Sequence, residues 1–573
     1  MRRVVLSRSY SSAVGRRGRR LPSAGKLQDF MPPSASHAAP GGDADDSLLP
    51  PYLSSQHLDG GGRAVYVETY GCQMNVADTE VVRAVLQGAN YTRAETLEEA
   101  DVALLNTCAI RDNAEAKIWN RLREIRASKR RAADGWRKRG LAERPRGPVV
   151  GLLGCMGERL KGKLLEEDRL VDIVCGPDAY RSLPRLLAEA DSGRAALDVQ
   201  LSLDETYADV TPVREGADGL SAFVSIMRGC NNMCSYCIVP HTRGRERSRP
   251  AASIAAEVAQ LAAAGYREVT LLGQNVNSYA DGAGRGDEPA ALSSDGFKPM
   301  VPPPARATMR FAGLLDELAA AHPEVRFRFT SPHPKDFPDA LLGVIRDRPN
   351  ACAQLHIPAQ SGSSRVLASM RRGYTRETYL ELIDRVREVL PGVAISSDFI
   401  SGFCGEDEAD HAETLSLLER VRFDKAFMFA YSMREKTHAH RRLADDVPEA
   451  VKQRRLREVI ETFNAGARAA NEEEVGRRHL VMLEGVSKKS DDEWMGRTDT
   501  NKRVVVRRTA VSAADAADAA DAADAASREM RAGDFVAVRV TEAISANTLR
   551  AEPLARCSIA QYAQWEREGG VRI

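Results

Sequence analysis

The stretch RGCNNMCSYC, residues 228–237, places three cysteines at the spacing C-x3-C-x2-C. Thiolates at such short intervals wrap a metal centre, yet structural zinc and ordinary electron-transfer iron–sulfur clusters take four protein ligands. Cys230, Cys234 and Cys237 are one short. Either a fourth ligand lies elsewhere, as in a zinc site completed by His241 at C-x3-C-x2-C-x3-H, or one corner is left open. On a four-iron cube the open corner is an iron free to take a small ligand, and Tyr236 stands where it could pack beside a planar one. A second set of three exists, because Cys72, Cys108 and Cys155 each follow a short apolar run. Cys175 follows a fourth such run and competes for the same position. Cys352, Cys404 and Cys557 read as small buried hydrophobes.

The elements around these residues say how they are brought together. VYVETY (65–70), VALLN (102–106), VVGLL (149–153) and DIV (172–174) have the composition of buried strands, with helical spacing in ADTEVVRAVLQGA and AEAKIWNRLREIRA between them. This alternation predicts an α/β domain with a parallel sheet over 63–200, whose functional groups gather at the carboxyl ends of the strands. Three thiols 36 and 47 residues apart then converge on one edge. Over 216–465 six further βα-like units, beginning SAFVSIM, EVTLLGQ, VRFRFT, AQLHIP, AISSDFIS and KAFMFAY, predict a partial or full (β/α) barrel with RGCNNMCSYC directly after its first strand. Residues 281–308 break that pattern and read as an inserted surface loop. From 471 to 553 five short strands suggest a small β-barrel carrying Arg477, Arg478, Lys488, Lys489, Arg497, Lys502, Arg503, Arg507 and Arg508, a surface suited to RNA or to solvent alike. Its Ala-Ala-Asp repeat, 512–527, has a period of three that suits no helix face and reads as a low-complexity insertion. Residues 554–573 are left as a tail.

A chain of 573 residues is too long for one core, and its 43% hydrophobic and 28% charged residues suit a soluble multidomain protein with no membrane partner. Ten clustered cysteines favour metal ligation in a reducing compartment over a disulfide framework. The first 28 residues hold seven Arg, one Lys and five Ser and no acid before Asp29. That is the composition of an organellar transit peptide, mitochondrial or alternatively plastid, with residues 29–62 as a linker.

C-x3-C-x-aromatic-C at the end of a first barrel strand resembles the radical S-adenosylmethionine signature. The segments YGCQMN (70–75), NTCAIRDNAEAK (106–117), GLLGCMGE (151–158), GCNNMCSYCIVPHTRGRERSRP (229–250), LLGQNVNSY (271–279), RFTSPHP (328–334) and HIPAQSGSSRVLASMRRGYTRE (356–377) extend the likeness to the methylthiotransferase family across 63–553. The terminal barrel resembles its tRNA-binding TRAM domain. GQNVNSY and TRGRERSRP resemble the MiaB-type tRNA branch, while FAYSMREKTHAHRRLADDVP (429–448) and Cys404 resemble the eukaryotic organellar members, also named for association with a kinase regulatory subunit.

The resemblance implies two [4Fe-4S] clusters, one on Cys230, Cys234 and Cys237 and one on Cys72, Cys108 and Cys155, leaving Cys175 out. It implies S-adenosylmethionine on the open iron of the first, and methylthio transfer to C2 of N6-isopentenyladenosine beside the anticodon. Tyr236, Gln274, Asn275, Gln360 and Asp398 are then candidate cofactor contacts, and Arg497, Lys502 and Arg503 candidate RNA contacts. The tRNA anticodon stem-loop, an electron-donor protein and a sulfur source are the implied partners. Two rivals differ in substrate or in class: the same chemistry on threonylcarbamoyl-adenosine, and a non-enzymatic kinase-regulatory binding protein.

Overall fold

A sheet covered by helices on both faces must be apolar on both, and the amino-terminal strands are. The computed structural model describes residues 53–109, 112–139, 147–161, 170–214, 219–509 and 529–568. Strands β1 (Ala64–Thr69), β2 (Thr92–Arg93), β3 (Val102–Thr107), β4 (Val149–Gly154), β5 (Ile173–Cys175) and β6 (Ala196–Asp198) form one sheet in the order β2-β1-β3-β4-β5-β6. Every pair is parallel, as expected. The short edges β2 and β6 carry no apolar pattern and are additions to the four strands legible in the sequence. Helix α1 (Gln73–Gly88) buries Val81, Val82 and Leu86 in one core. Helix α2 (Asp112–Arg139) buries Ile118, Leu122 and Ile125 in a second. A short helix α3 (Cys155–Leu160) begins at the end of β4.

All six expected barrel strands are present: Ser221–Ser225, Glu268–Leu272, Arg326–Phe329, Gln354–His356, Ala394–Ser401 and Lys425–Ala430. They pair in two parallel triplets, joined where Phe327 bridges Ala351. The outermost strands, Ser221–Ser225 and Lys425–Ala430, do not pair with each other, so this is a partial barrel with a lateral opening. Residues 281–308 form two ladders of two-residue strands, and they do more than cover a surface. Phe297 is buried in the barrel core, its ring 5.4 Å from that of Tyr374. An aromatic anchor gains too much from burial to stay in a solvated loop.

The carboxy-terminal strands Arg478–Ser487, Ser490–Thr498, Arg503–Arg507, Phe535–Ser545 and Thr548–Arg556 close a five-stranded barrel around Val481, Leu483, Val504, Val506, Val536, Val538 and Leu549. The Ala-Ala-Asp segment and residues 1–52, which include the transit-peptide reading, lie outside the described residues. Within 554–573, helix Ile559–Arg567 packs Tyr562 and Trp565 beside Leu480, Met482 and Phe535. Arg326 and Arg328, at the amino end of the third barrel strand, fix the small barrel in place. Arg326 donates to the carbonyls of Leu480 (2.6 Å) and Arg497 (2.9 Å), and Arg328 to those of Asp499 (2.6 Å) and Thr498 (2.7 Å). The small barrel therefore sits at the amino ends of the strands, away from the cysteine loop. No helix among the described residues is long and apolar enough to cross a membrane.

Candidate metal centres

Cys72, Cys108 and Cys155 stand at the carboxyl ends of β1, β3 and β4, three adjacent strands, so the turns that carry them meet. Side chains from the same turns hold them together. Asn75 donates to the Thr107 carbonyl (3.2 Å) and its Oδ1 accepts from the Cys72 backbone N–H (3.3 Å). Asn106 donates to the Asn75 carbonyl (2.9 Å), and the Thr107 hydroxyl to that of Leu153 (2.6 Å). The fit is close enough to require glycine. At Gly71, φ +131°, a Cβ would lie 2.6 Å from the Cys108 Cβ, and at Gly154, φ +82°, 2.8 Å from the Thr107 carbonyl oxygen. Strain at these positions falls on the triad itself. Gly154→Ala is expected to take up about half the wild-type iron on anaerobic reconstitution, the loss confined to this triad, measured as iron per chain and by Mössbauer spectroscopy.

The triad encloses a buried cation. Arg243 Nε donates to Cys155 Sγ at 3.1 Å and Nη2 pairs with Asp78 at 2.5 Å, while Nη1 is buried without a partner. The Cys72 thiol is pulled down to about 6 by its hydrogen bond with Cys108, against burial and with help from Arg243. Burial pushes the Cys155 thiol up. Cys175, the competing fourth thiol, points away: it is fully buried in the sheet core and donates to the Ala179 carbonyl at 3.2 Å.

The second triad has a matching arrangement. Arg372 Nη1 lies 3.3 Å from Cys234 Sγ and 3.4 Å from the Tyr236 hydroxyl, and Nη2 donates to the Pro358 carbonyl at 2.9 Å. Burial raises the Cys230 thiol, and burial with the neighbouring Cys234 raises Cys237 to about 12. Tyr236 packs its ring edge-on against Phe403, 6.5 Å between centroids. Gln274 Oε1 accepts from the Gly229 backbone N–H at 2.5 Å, and Asn275 Nδ2 donates to Asp336 at 3.1 Å. Gln274 Nε2 and Asn275 Oδ1 are buried without partners. One orphan donor and one orphan acceptor beside the Cys230 loop suit a small polar ligand with an amino and a carboxylate group. Gln360 is buried in a left-handed conformation, φ +71°, with its backbone bridged to Phe399, and Asp398 Oδ2 lies 3.4 Å from His356 Nε2.

Two sets of three thiols, each with a buried guanidinium on a sulfur, fit clusters that keep an open iron. His241, which a zinc site would require, has its pKa lowered by burial, with Arg441 and Lys436 adding to the effect. Among the described residues no three His, Cys, Asp or Glu side chains close on a point for a single ion. Thiolates on a cube each bind a different iron and need not converge so tightly.

The two triads are neighbours. Ile238, next to Cys237, packs on Cys155, and the arginines of TRGRERSRP join the two domains. Arg228 and Arg243 meet Asp78 of α1, and Arg247 meets Asp178 (2.8 Å). Arg214 pairs with Glu80 of α1 at 2.6 Å and, together with Arg249, with Glu257. The basic motif thus serves as an interdomain clamp. Two of the candidate RNA contacts are likewise paired within the protein. Arg497 pairs with Glu268 (2.9 Å) and Glu484, and Lys502 with Asp424 (2.7 Å), because both side chains reach inward across the docking surface. Arg503 is exposed. Sequence reasoning missed Arg243, Arg372, Asp78 and Asn75. Arg243, Asp78 and Asn75 sit in or beside a cysteine motif, which was the available signal, and Arg372 sits in the segment HIPAQSGSSRVLASMRRGYTRE, which has no cysteine.

Comparison with known proteins agrees with this architecture. Residues 64–176 match the uncharacterized protein family UPF0004, residues 224–418 the radical SAM superfamily and residues 472–554 the TRAM domain. The chain is 52% identical over 517 residues to the mouse mitochondrial tRNA methylthiotransferase CDK5RAP1, covering 89% of this chain and 84% of the mouse protein. It is 51% identical to a CDK5RAP1-like protein of Oryza sativa subsp. japonica, covering 87% and 82%. It is 47% identical to the tRNA-2-methylthio-N(6)-dimethylallyladenosine synthase of Chloroherpeton thalassium, covering 85% and 95%. The chain belongs to the tRNA methylthiotransferase family of radical S-adenosylmethionine enzymes.

Proposed function

We propose that this enzyme adds a methylthio group to C2 of N6-isopentenyladenosine beside the anticodon of tRNA. The observation that carries the reading is the presence of two adjoining thiol triads in a chain whose relatives are named for that activity. Cys230, Cys234 and Cys237 would hold one cluster with S-adenosylmethionine, which would supply the radical chemistry that a strong, non-acidic C2–H bond requires, and Cys72, Cys108 and Cys155 would hold a second that would supply the sulfur. The chain's own residues set the geometry. Gln274 and Asn275 would offer their unpaired carboxamide atoms to the methionine end of the cofactor, with Gln360 and Asp398 as further candidate contacts. Tyr236 borders the cofactor. Arg372 and Arg243 hold one sulfur of each triad and offset its negative charge. The small barrel, with Arg503 on its surface, offers tRNA a docking surface.

An electron-donor protein and a sulfur source outside the chain complete the proposal. A mitochondrial location is supported by the names of its relatives and by the Arg-rich, Ser-rich first 28 residues.

The test is anaerobic reconstitution with S-adenosylmethionine, reductant and an anticodon stem-loop bearing isopentenyladenosine, followed by mass spectrometry of the nucleosides. The wild type is expected to form the methylthio product. Cys234→Ala is expected to form neither product nor 5′-deoxyadenosine, and Cys108→Ala to keep 5′-deoxyadenosine and lose the product. Formation of 5′-deoxyadenosine without product by the wild type would move the substrate to threonylcarbamoyl-adenosine or elsewhere. Neither product from iron-loaded protein would favour the binding-protein reading.

A further inference from the structure

Exposed aromatic side chains are rare here: among the described residues only Phe427 and Phe429 leave a Phe, Tyr or Trp ring exposed, at 40% and 41%. They lie two residues apart on Lys425–Ala430, the strand that borders the lateral opening of the barrel, and so point to one face. The register identifies that face. Lys425, Phe427 and Phe429 stand opposite Ser396, Asp398 and Ile400, whereas the alternate residues Ser397 and Phe399 are fully buried outward, under the helices. The exposed pair therefore faces the inside of the barrel. His356, also inward, sets its ring 6.0 Å from that of Phe427 and its Nδ1 3.0 Å from Ser396 Oγ. Lys425 Nζ lies 5.3 Å over the Phe427 ring. Two phenyl faces left in water at the open side of a barrel, below the cysteine loop, make an apolar wall that something must cover.

We infer that Phe427 and Phe429 form the subsite for the apolar N6 substituent of the substrate adenosine, and so select an isopentenyl chain over a hydrogen or a charged group at that position. This rests on the proposed substrate. The chemistry favours one occupant: a branched five-carbon alkenyl chain gains from contact with two phenyl faces. A threonylcarbamoyl group would set a carboxylate against the same wall and lose its hydration without gaining an apolar contact. The position also suits the chemistry. Phe429 is opposite Ile400 near the carboxyl end of its strand, where the ring of the adenosine would come up towards the cysteine loop.

The test is equilibrium binding of the full chain, by fluorescence anisotropy, to three anticodon stem-loops that differ only at the target base: isopentenyladenosine, adenosine and threonylcarbamoyladenosine. The wild type is expected to prefer the isopentenyl stem-loop to the adenosine one by about 10- to 100-fold, the range expected for burying a few methyl or methylene groups. The double variant Phe427→Ala with Phe429→Ala is expected to bring that ratio to within about threefold of one, and Phe429→Leu, which stays apolar, to keep most of it. Thermal unfolding of each variant guards against misfolding, which two exposed positions make a small effect. A double variant that weakens all three stem-loops by one factor, or keeps the wild-type ratio, overturns the subsite. If the wild type methylthiolates the isopentenyl stem-loop while the variant keeps the ratio, the subsite alone falls. A wild type with neither preference nor product overturns the substrate reading and the subsite with it.

Discussion

Asp78→Ala is expected to destabilise the protein by about 3–5 kcal/mol, the cost of leaving buried charges without their partner. Asp78 is fully buried on α1, accepts from Arg228 Nη1 at 2.9 Å and Arg243 Nη2 at 2.5 Å, and receives the Tyr180 hydroxyl at 3.2 Å. Alanine strands two guanidiniums that are themselves almost wholly buried. One of them, Arg243, also holds Cys155, so the loss reaches the thiol triad. Burial alone would raise the Asp78 carboxyl, yet Arg243 and Arg228 hold it below the usual carboxylate range. A carboxyl depressed by folding contributes stability above its unfolded pKa of about 4, and that contribution is lost as the pH falls through the folded value. Urea denaturation of the apo-protein at pH 7 and iron content after reconstitution are the measurements. An unchanged midpoint with normal iron would show that the clamp carries no energy.

Glu268→Gln is expected to cost a similar 3–5 kcal/mol, read at the other end of the barrel. Glu268 is 1% exposed and pairs with Arg328 at 2.8 Å and Arg497 at 2.9 Å, the second from the small barrel. Burial works against its ionised form, but Arg328, Arg497 and Arg326 prevail and hold it at about 2. Relative to an ordinary glutamate this corresponds to roughly 3 kcal/mol, present above about pH 4 and lost between there and about pH 2. The wild type should therefore show an acid transition in that window in which the small barrel becomes accessible to a protease, and Glu268→Gln should show that accessibility already at neutral pH. Stem-loop affinity should fall with it. A variant whose small barrel stays protected at pH 7 would sink the expectation.

The strands that position the cysteines were legible because they are short and rich in apolar residues, and the triads follow from where those runs end. β2 and β6, two and three residues long, gave no such signal. The roles of Arg243 and Arg372 were hidden for a different reason. Both sit in motifs plainly visible in the sequence, but their partners are distant: Cys155 is 88 residues from Arg243, and Cys234 is 138 from Arg372. A basic residue in a predicted barrel looks the same in sequence whether it meets a phosphate or a neighbouring domain, and the pairing of Arg497 with Glu268 and of Lys502 with Asp424 could not be read from it. Phe297 was missed because the residues flanking it are those of a loop.

The arginine clamp at Asp78, Asp178 and Glu80 ties the two thiol triads together. A hinge between the amino-terminal sheet and the barrel would have to open several buried ion pairs together, each costly to separate, so the fold favours one fixed spacing of the thiol triads. Transport between them cannot rely on one domain swinging to the other. Whatever passes must be short enough to span a fixed gap, and the length of that gap, like the jaw of a gauge, decides which atom of a bound nucleotide is within reach of both ends.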